Sequence, residues 1–434
     1  TMGSLRHVKK AVMIAAVLLL LTLSLGGGVA SKSNEQAATY ENLRLFTEVL
    51  SIIQSQYVDE LPPKEIIYSA IKGTLRGLDP HSSFLDPEMY REMQVETSGS
   101  FGGLGIEITL RDDVLTVVTP IEGTPAYRAG VQPGDRIVKI EGISTKDMQL
   151  TDAVKRMRGK PGSKIVISLV REGWTEPKDF TITREQIRVQ SVKSAELEPG
   201  IEYIRLRQFQ EQTGTDIETA LEKYSKGKKI EGLVLDLRNN PGGLLTASVE
   251  VTEKFLEPGK LVVYTEGRVR NQNMRFQASG KRIYSDFPIV VLVNQGSASA
   301  SEIVAGALQD WGRAVVLGTQ SFGKGSVQTI IPLSDGSGLR LTTAKYYTPK
   351  GRSIHGKGIT PDIIVEVPKP VASAGQTPEV QPQQPPPPLD EQARLMDQLK
   401  RDPQLQRALD LLKGMKILDK TTRPAGAPAQ TSAR

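Results

Sequence analysis

The sequence predicts a multidomain α/β protein with helical regions near its N- and C-terminal ends. After Glu185, short apolar runs typical of strands alternate with helical patterns, which indicates a parallel or mixed sheet flanked by helices. A stretch rich in Pro and Gln at 369–388 contains EVQPQQPPPP and predicts an extended linker before a last helical region. The 434 residues are enough for two or three domains.

The composition argues against several classes of function. The formal net charge is +6, and Lys and Arg are scattered among acidic residues, which argues against nucleic-acid binding. The absence of cysteine excludes a catalytic thiol, a thiolate metal site and disulfides. His7, His81 and His355 lie far apart, so we expect no histidine-rich metal site.

Residues 1–31 have the pattern of an export signal. Basic residues precede an unbroken apolar run at Ala11–Leu25, and small residues follow at Gly28–Ala30. The segment is also nearly long enough to remain as a membrane anchor. The sequence therefore predicts export and leaves open whether this segment is cleaved or retained.

Two further units precede the α/β region. Residues 40–93 have helical periodicity, because apolar residues recur at three- and four-residue spacing from Leu43 to Ile53. The Gly-rich sequence SGSFGGLGIEI at Ser98–Ile108 then leads into an alternating strand. This strand opens a unit that closes with another predicted strand, KIVISLVRE.

Composition and periodicity together set the predicted domain bounds. They are a signal peptide or anchor at 1–31, an N-terminal helical region at 36–96, the Gly-loop unit at 97–185, an α/β core at 186–368, the linker at 369–388, a C-terminal helical region at 389–418 and a flexible tail at 419–434.

Lys324 lies in GTQSFGKGSVQ, whose glycine and lysine spacing nearly matches a phosphate-binding loop. Such a loop needs Ser or Thr after the lysine and a helix behind it, whereas Gly325 follows here and the next segment favours a strand. A lysine among glycines can instead approach another backbone closely and lose water. That lowers its pKa, so it can act as a general base for a hydroxyl. On spacing alone, a solvated loop lysine is the simpler interpretation.

The partner hydroxyl is predicted in NQGSASASEIVAG, where small residues join a strand to a helix. Ser299 would lie at a helix N-terminus, whose free N–H groups can stabilise an oxyanion. Ser299 and Glu302 also have the spacing of a capping box, so Ser299 as a simple helix cap stays open. The turn RNNPGG at 238–243 offers further amides, or is an ordinary strand-to-helix turn.

A histidine mechanism is the alternative to a lysine base. A Ser-His-Asp triad would have to recruit His81 or His355, and nothing in the sequence connects either one with Ser299.

Taken together, RNNPGG, GSASASEI, FGKGSVQ and GRSIHGKGITPD resemble the carboxyl-terminal processing proteases, also called tail-specific proteases. The resemblance covers roughly residues 40–367. It implies a PDZ domain inserted before a crotonase-like α/β protease core, with a serine–lysine pair and no cofactor. It also implies that the terminal helical regions mediate self-association; packing onto the protein's own core is the alternative.

The resemblance assigns site residues by matching motifs. Ser299 corresponds to the nucleophile, Lys324 to the base and Gln328 to a glutamine that orients the lysine. The remaining correspondences are to oxyanion donors, with the choice between the two glycines open: Ala300, Gly242 and Gly243. Asp310 corresponds to a commonly acidic position that we expect to be structural.

The Gly-rich loop resembles the carboxylate-binding loop of a PDZ domain. Its amides are expected to bind the free C-terminus of a peptide that adds as a strand beside Ile106–Ile108. The loop amides belong to Gly103, Leu104, Gly105 and Ile106. Arg158 corresponds to a family arginine that couples peptide binding to the active site.

These observations predict an exported serine endopeptidase of the bacterial cell envelope, either periplasmic or membrane-anchored. Its expected partners are substrates with free apolar C-termini, further copies of itself and an activating adaptor. The alternative is a membrane-associated PDZ scaffold or chaperone with an inactive protease fold. The intact Ser299, Lys324 and Gln328 argue against that alternative.

Overall fold

A computed structural model describes residues 39–226, 229–280, 283–367, 397 and 401–422. The predicted export segment and the predicted linker lie outside these residues. The chain divides into two compact units, Thr1–Phe84 and Leu85–Arg434.

The described part of the first unit is helical, as predicted. Helix α1 spans 39–56, α2 spans Pro63–Arg76, and the short strand β1 at Ser83–Leu85 follows. Leu43, Phe46 and Ile53 on the predicted apolar stripe of α1 are exposed. The helix therefore presents that stripe outwards instead of burying it.

The second unit begins with α3 at Pro87–Ser98. The Asp86 carboxylate accepts the N–H groups of Glu88 and Met89, which caps the helix. Gly99 ends it in the left-handed conformation with φ 66°.

An antiparallel ribbon carries the chain into and out of an inserted domain. Strand β2 at Ser100–Gly103 pairs with β9 at Glu185–Arg188. Between them lies a sheet in the order β3-β4-β5-β7-β8, with β6 on β5. Its strands are β3 (Ile106–Arg111), β4 (Val114–Pro120), β5 (Arg136–Ile140), β6 (Ile143–Ser144), β7 (Lys164–Val170) and β8 (Lys178–Thr183). Helices α4 (Pro125–Arg128) and α5 (Leu150–Met157) complete the domain, whose core includes Leu104, Ile137 and Ile167.

The predicted α/β region is built on a six-stranded sheet in the order β10-β11-β12-β15-β16-β19. All neighbouring pairs are parallel except β10 with β11. The strands are β10 (Val192–Glu198), β11 (Ile201–Leu206), β12 (Gly232–Asp236), β15 (Ile289–Val293), β16 (Val315–Gly318) and β19 (Ile363–Ile364).

Helices cover both faces of this sheet, which explains its continuous apolar strands. Leu233 and Leu235 of β12 face one core, formed with α6 (Thr213–Ser225), α7 (Leu245–Glu253) and α8 (Ala300–Asp310). Val234 faces the opposite side, where the last helix, α9 at Pro403–Thr422, packs.

A second, antiparallel sheet carries the segment after Lys324. Strand β18 (Gly338–Tyr347) pairs with β17 (Ser326–Pro332) and with β13 (Leu261–Gly267), which pairs with β14 (Arg275–Gln277). A 3₁₀ turn at Arg270–Gln272 lies between β13 and β14. The prediction of a strand after Lys324 is confirmed.

Helix α9 packs onto the protein's own core, which is the alternative to self-association through that region. Leu405, Ala408, Leu409 and Leu412 are buried against the second face of the sheet. The helix continues to Thr422, a turn past the predicted end at 418. None of the helices in the described part of the chain has the length and apolar character needed to cross a membrane.

Candidate active site

Ser299 lies where strand β15 passes into helix α8, as the sequence predicts. It is the N-cap of the helix, with φ 57° and ψ −115°, a backbone conformation that is strained for a residue with a side chain. In the described chain the N–H of Ala300 has no hydrogen-bond acceptor, as expected at a helix N-terminus. A nucleophile and a free amide are therefore adjacent.

The glycine turn after β12 is held against this serine by Asn240, which is fully buried. Its Oδ1 accepts the Gly242 N–H at 2.9 Å, and its Nδ2 donates to the Leu206 carbonyl at 2.9 Å. Its own carbonyl accepts the Ala298 N–H at 3.0 Å and the Ser301 hydroxyl at 2.9 Å. One asparagine therefore joins both predicted turns.

Only glycine fits at the two positions that end this turn. At Gly242, with φ 102°, a Cβ would lie 2.7 Å from the Cβ of Ser299. At Gly243, with φ 144°, a Cβ would lie 2.1 Å from the Phe209 carbonyl oxygen. The Gly242 N–H is already bonded to Asn240, whereas the Gly243 N–H finds no acceptor among the residues described.

The carboxylate of Glu302 connects the serine turn with the lysine loop. It is fully buried, and its Oε2 accepts the backbone N–H groups of Ser299 at 2.8 Å and Lys324 at 2.9 Å. Its Oε1 accepts the Ser321 hydroxyl at 2.6 Å and the Gly323 N–H at 2.7 Å. Burial raises the pKa of Glu302, and these four hydrogen bonds oppose the rise.

Lys324 is partly buried, and its pKa is lowered from its usual value. Burial is the main cause and the charge of Arg340 adds to it, while the charge of Glu302 opposes it. The close backbone approach predicted for this loop is confirmed, because a Cβ on Gly325 would lie 2.2 Å from the backbone nitrogen of His355. The loop leads into strand β17 and not into a helix, so it lacks the geometry of a phosphate-binding loop.

Tyr346 brings a second buried polar group to the serine and the lysine. It is 2% exposed, and its hydroxyl donates to the Lys324 carbonyl. Burial raises the pKa of Tyr346, and an interaction with the Ser299 side chain opposes the rise. Across the described residues, no hydrogen bond joins Ser299 Oγ to Lys324 Nζ.

The structure places Gln328 on the ladder between β17 and β18. Its Nε2 donates to Ser326 Oγ at 3.0 Å and to Thr342 Oγ1 at 3.3 Å. A contact through which Gln328 orients Lys324 stays a prediction. Asp310 is buried, accepts the Lys350 N–H at 2.8 Å and pairs with Arg352.

The Gly-rich loop lies beside the edge strand β3 of the inserted domain. The Leu104 carbonyl accepts the Ala126 N–H at 3.0 Å, and the Gly105 carbonyl accepts the Ile121 N–H at 2.8 Å. Within the described ranges, the N–H groups of Leu104 and Gly105 have no acceptor. The carbonyls therefore anchor the loop and leave two amides available.

Arg158 contacts the residue that leads into this loop. Its guanidinium lies 4.7 Å from the centre of the Phe101 ring, a cation–π distance. The neighbouring Gly159 N–H donates to the Gly102 carbonyl at 3.0 Å. The end of α5 is therefore joined to the loop.

Known proteins are similar in sequence over most of the chain. The model of peptidase family S41 matches residues 200–365, and a PDZ domain model matches residues 116–171. A carboxy-terminal-processing protease of Bartonella bacilliformis is 48% identical over 82% of this chain and 82% of its own. A carboxyl-terminal-processing protease of Synechocystis sp. is 41% identical over 73% of this chain and 75% of its own. A probable CtpA-like serine protease of Staphylococcus aureus is 38% identical over 76% of this chain and 66% of its own.

The chain belongs to peptidase family S41, the carboxy-terminal-processing proteases. It is a serine peptidase with a PDZ domain.

Three residues that organise this S41 site were not recognised from the sequence. By spacing alone, Glu302 is half of a predicted capping box, and Asn240 is part of a predicted turn. Tyr346 carried no local signal, because its contacts with Ser299 and Lys324 exist only once β18 lies beside the lysine loop. An asparagine in the turn that follows a buried strand is a signal that could have identified a side-chain anchor.

We predict that Glu302→Gln lowers both the stability and the activity of this S41 peptidase. The amide nitrogen cannot accept a hydrogen bond, so two of the four donors lose their acceptor, at a cost of about 1–3 kcal/mol each. Thermal unfolding and peptide cleavage would measure the two effects. The control is Glu257→Gln, which removes an exposed carboxylate. An unchanged unfolding midpoint with full activity would contradict the assigned role of Glu302.

Proposed function

We propose that this protein is an exported endopeptidase that reads the C-terminal tail of a substrate and cleaves it with a Ser299–Lys324 dyad. The observation that carries the proposal is the Glu302 carboxylate, which accepts the N–H groups of both residues. It brings a strained serine, a helix N-terminus and a lysine of lowered pKa to one place.

The chemistry begins with attack of Ser299 Oγ on the scissile carbonyl carbon. Neutral Lys324 takes the hydroxyl proton and then gives it to the leaving amine as the acyl-enzyme forms. A water then attacks the ester carbonyl, with Lys324 again the base, and the carboxylic acid product leaves Ser299 free.

The N–H groups of Ala300 and Gly243 hold the oxyanion in both steps. Gly243 is preferred to Gly242 because the Gly242 N–H is bonded to Asn240. A Cβ on Gly242 would lie 2.7 Å from the Cβ of Ser299, so this turn packs closely against the nucleophile. A crotonase-like core, with the site between two turns of one sheet, is part of this proposal.

The described arrangement corresponds to a resting state, because no hydrogen bond joins Ser299 Oγ to Lys324 Nζ among the described residues. The two groups therefore have to approach each other before Ser299 can lose its proton. Tail binding by the PDZ domain favours the active arrangement only if the tail binds that arrangement more tightly. Arg158 contributes to this coupling, since it contacts Phe101 at the start of the carboxylate-binding loop.

Tail recognition follows from an open sheet edge. Among the described strands, β3 has a neighbour on only one side of its sheet, so a peptide can add along its other side. The free amides of Leu104 and Gly105, with those of Gly103 and Ile106, receive the terminal carboxylate. Apolar tails are preferred because Leu104 and Ile106, the two loop residues with side chains, are apolar and contribute to the domain core.

Export and self-association complete the proposal. The basic and apolar pattern of residues 1–31 supports delivery to the cell envelope. The exposed apolar stripe of α1 supports association with another copy. An activating adaptor is proposed on the resemblance alone.

Ser299→Ala and Lys324→Ala should each abolish cleavage without unfolding the protein, because each removes one half of the proton transfer. His355→Ala is the matched control, since the His355 side chain is exposed. Cleavage of a tail-bearing peptide and a thermal unfolding scan would be measured for all three variants. Near wild-type cleavage by Lys324→Ala would reject the dyad, and a dead His355→Ala enzyme would favour a triad.

Arg340→Gln should shift the rising limb of the pH–rate profile to higher pH. The Nε of Arg340 is buried and has no acceptor among described residues, so its charge acts on Lys324 and lowers that pKa. Removal of the charge raises the pKa of Lys324, and the neutral form then appears only at higher pH. The measurement is kcat/KM against pH, with Lys345→Gln as an exposed cation on the same strand. A limb that does not move, or moves to lower pH, would count against a lysine base.

A free apolar C-terminus should accelerate cleavage of a peptide that contains one fixed internal cleavage sequence. Three versions would be compared, with a free apolar tail, an amidated apolar tail and a tail that ends in Asp. We expect the first to be cleaved fastest, because only it supplies both the carboxylate and an apolar end group. Equal rates for all three would reject tail reading while leaving the dyad intact.

A further inference from the structure

Arg238 is a buried cation at the start of the glycine turn. It follows β12 directly and is 9% exposed. Its Nε donates to Asp236 Oδ1 at 2.9 Å, and its second guanidinium nitrogen donates to Asp236 Oδ2 at 2.7 Å. Tyr203 donates to the same carboxylate at 2.7 Å, so the end of β12 is tied to β11.

The other side of this guanidinium binds the beginning of α9. Arg238 Nη1 donates to Asp402 Oδ1 and to Gln404 Oε1, both at 3.0 Å, and Nη2 lies 2.8 Å from Asp402 Oδ2. These residues are more than 160 positions apart in the chain. The contact therefore forms only when α9 packs on the face of the core sheet that includes Val234.

Asp402 also starts the helix that carries it. Its Oδ1 accepts the N–H groups of Gln404 at 3.1 Å and Leu405 at 3.0 Å, which is the pattern of a helix cap. Gln404 Nε2 donates to the Val365 carbonyl at 2.7 Å, just after β19. Although burial alone would raise it, bonding to Arg238 holds the pKa of Asp402 below its usual range.

A short path leads from Arg238 to the proposed oxyanion donor. Only Asn239 separates Arg238 from Asn240, the residue whose side chain bonds the Gly242 N–H and whose carbonyl bonds the Ala298 N–H. A displacement of Arg238 therefore moves the asparagine that sets the glycine turn against the serine turn.

We propose that α9 braces the oxyanion turn, and that Asp402 is a positioning residue that acts through Arg238. This inference rests on the proposed oxyanion role of the Gly243 amide. The described side chains of α9 pack on the face of the core sheet and have no hydrogen bond to Ser299 or Lys324, so the helix influences the reaction only indirectly. Docking of α9 sets the rate of the chemical step and leaves tail binding to the PDZ domain unchanged.

The test compares two full-length variants that each remove one tie between α9 and the core. Asp402→Asn weakens the tie to Arg238, whereas Lys413→Gln removes the ion pair with Glu198 further along the helix. Steady-state cleavage of a tail-bearing peptide and thermal unfolding would be measured for both. We expect kcat of Asp402→Asn to fall about tenfold with KM nearly unchanged, since small misplacements of oxyanion donors are costly. Lys413→Gln should keep both constants within about twofold.

A conservative variant distinguishes a positioning role of Asp402 from a general effect on stability. Asp402→Glu keeps the charge, so it should recover a large part of the lost kcat. If Asp402→Asn fails to fold, Gln404→Met tests the same tie, because it removes one acceptor of Arg238 and keeps the carboxylate. An unchanged kcat in the folded variant, or equal losses in Asp402→Asn and Lys413→Gln, would overturn the brace.

Failure of the brace is distinguishable from failure of the proposed function. If Ser299→Ala is inactive while Asp402→Asn has the wild-type kcat, the catalytic dyad is supported and the proposed role of α9 is rejected. If Ser299→Ala still cleaves the peptide, the proposed function is rejected. The proposed role of α9 is then rejected too, because it depends on that function.

Discussion

The arrangement of the site depends on one buried carboxylate. An isolated carboxylate in a protein interior is strongly unfavourable, and Glu302 is tolerated because four donors surround it. Those donors come from the serine turn and from the lysine loop, which belong to different parts of the chain. The need to satisfy this charge therefore holds together the two segments that carry Ser299 and Lys324.

The close approach of the two turns has a second requirement, which is the absence of side chains. Gly242 and Gly243 face Ser299 and the Phe209 backbone at distances that no Cβ could occupy. Asn240 supplies the specific bonds that glycine cannot, and it uses its side chain and its carbonyl together. The two glycines allow the turns to approach closely, and the hydrogen bonds of Asn240 fix their relative position.

The pKa of Lys324 is set by its burial, by the charge of Arg340 and by the charge of Glu302. Burial and Arg340 favour the neutral amine, while Glu302 opposes them, and the net shift of the pKa is downward. Glu302 binds the backbone N–H of Lys324, so it holds the loop by hydrogen bonding even though its charge opposes the neutral amine. Glu302 therefore positions the lysine loop, although its negative charge raises the pKa of Lys324.

The inserted domain was implied by a family resemblance, whereas the sequence by itself determined the alternation of strands and helices after Glu185 and the short motifs that carry Ser299, Lys324 and the two glycines. These are local signals, because periodicity, glycine turns and strand-to-helix connections need only neighbouring residues. Tertiary structure alone decided that Tyr346 reaches Ser299, that Gln328 bonds Ser326 and Thr342, and that α9 packs on its own sheet. Such contacts join residues that are distant in the chain, and their formation depends on which sheet face or turn each segment meets once the core is buried.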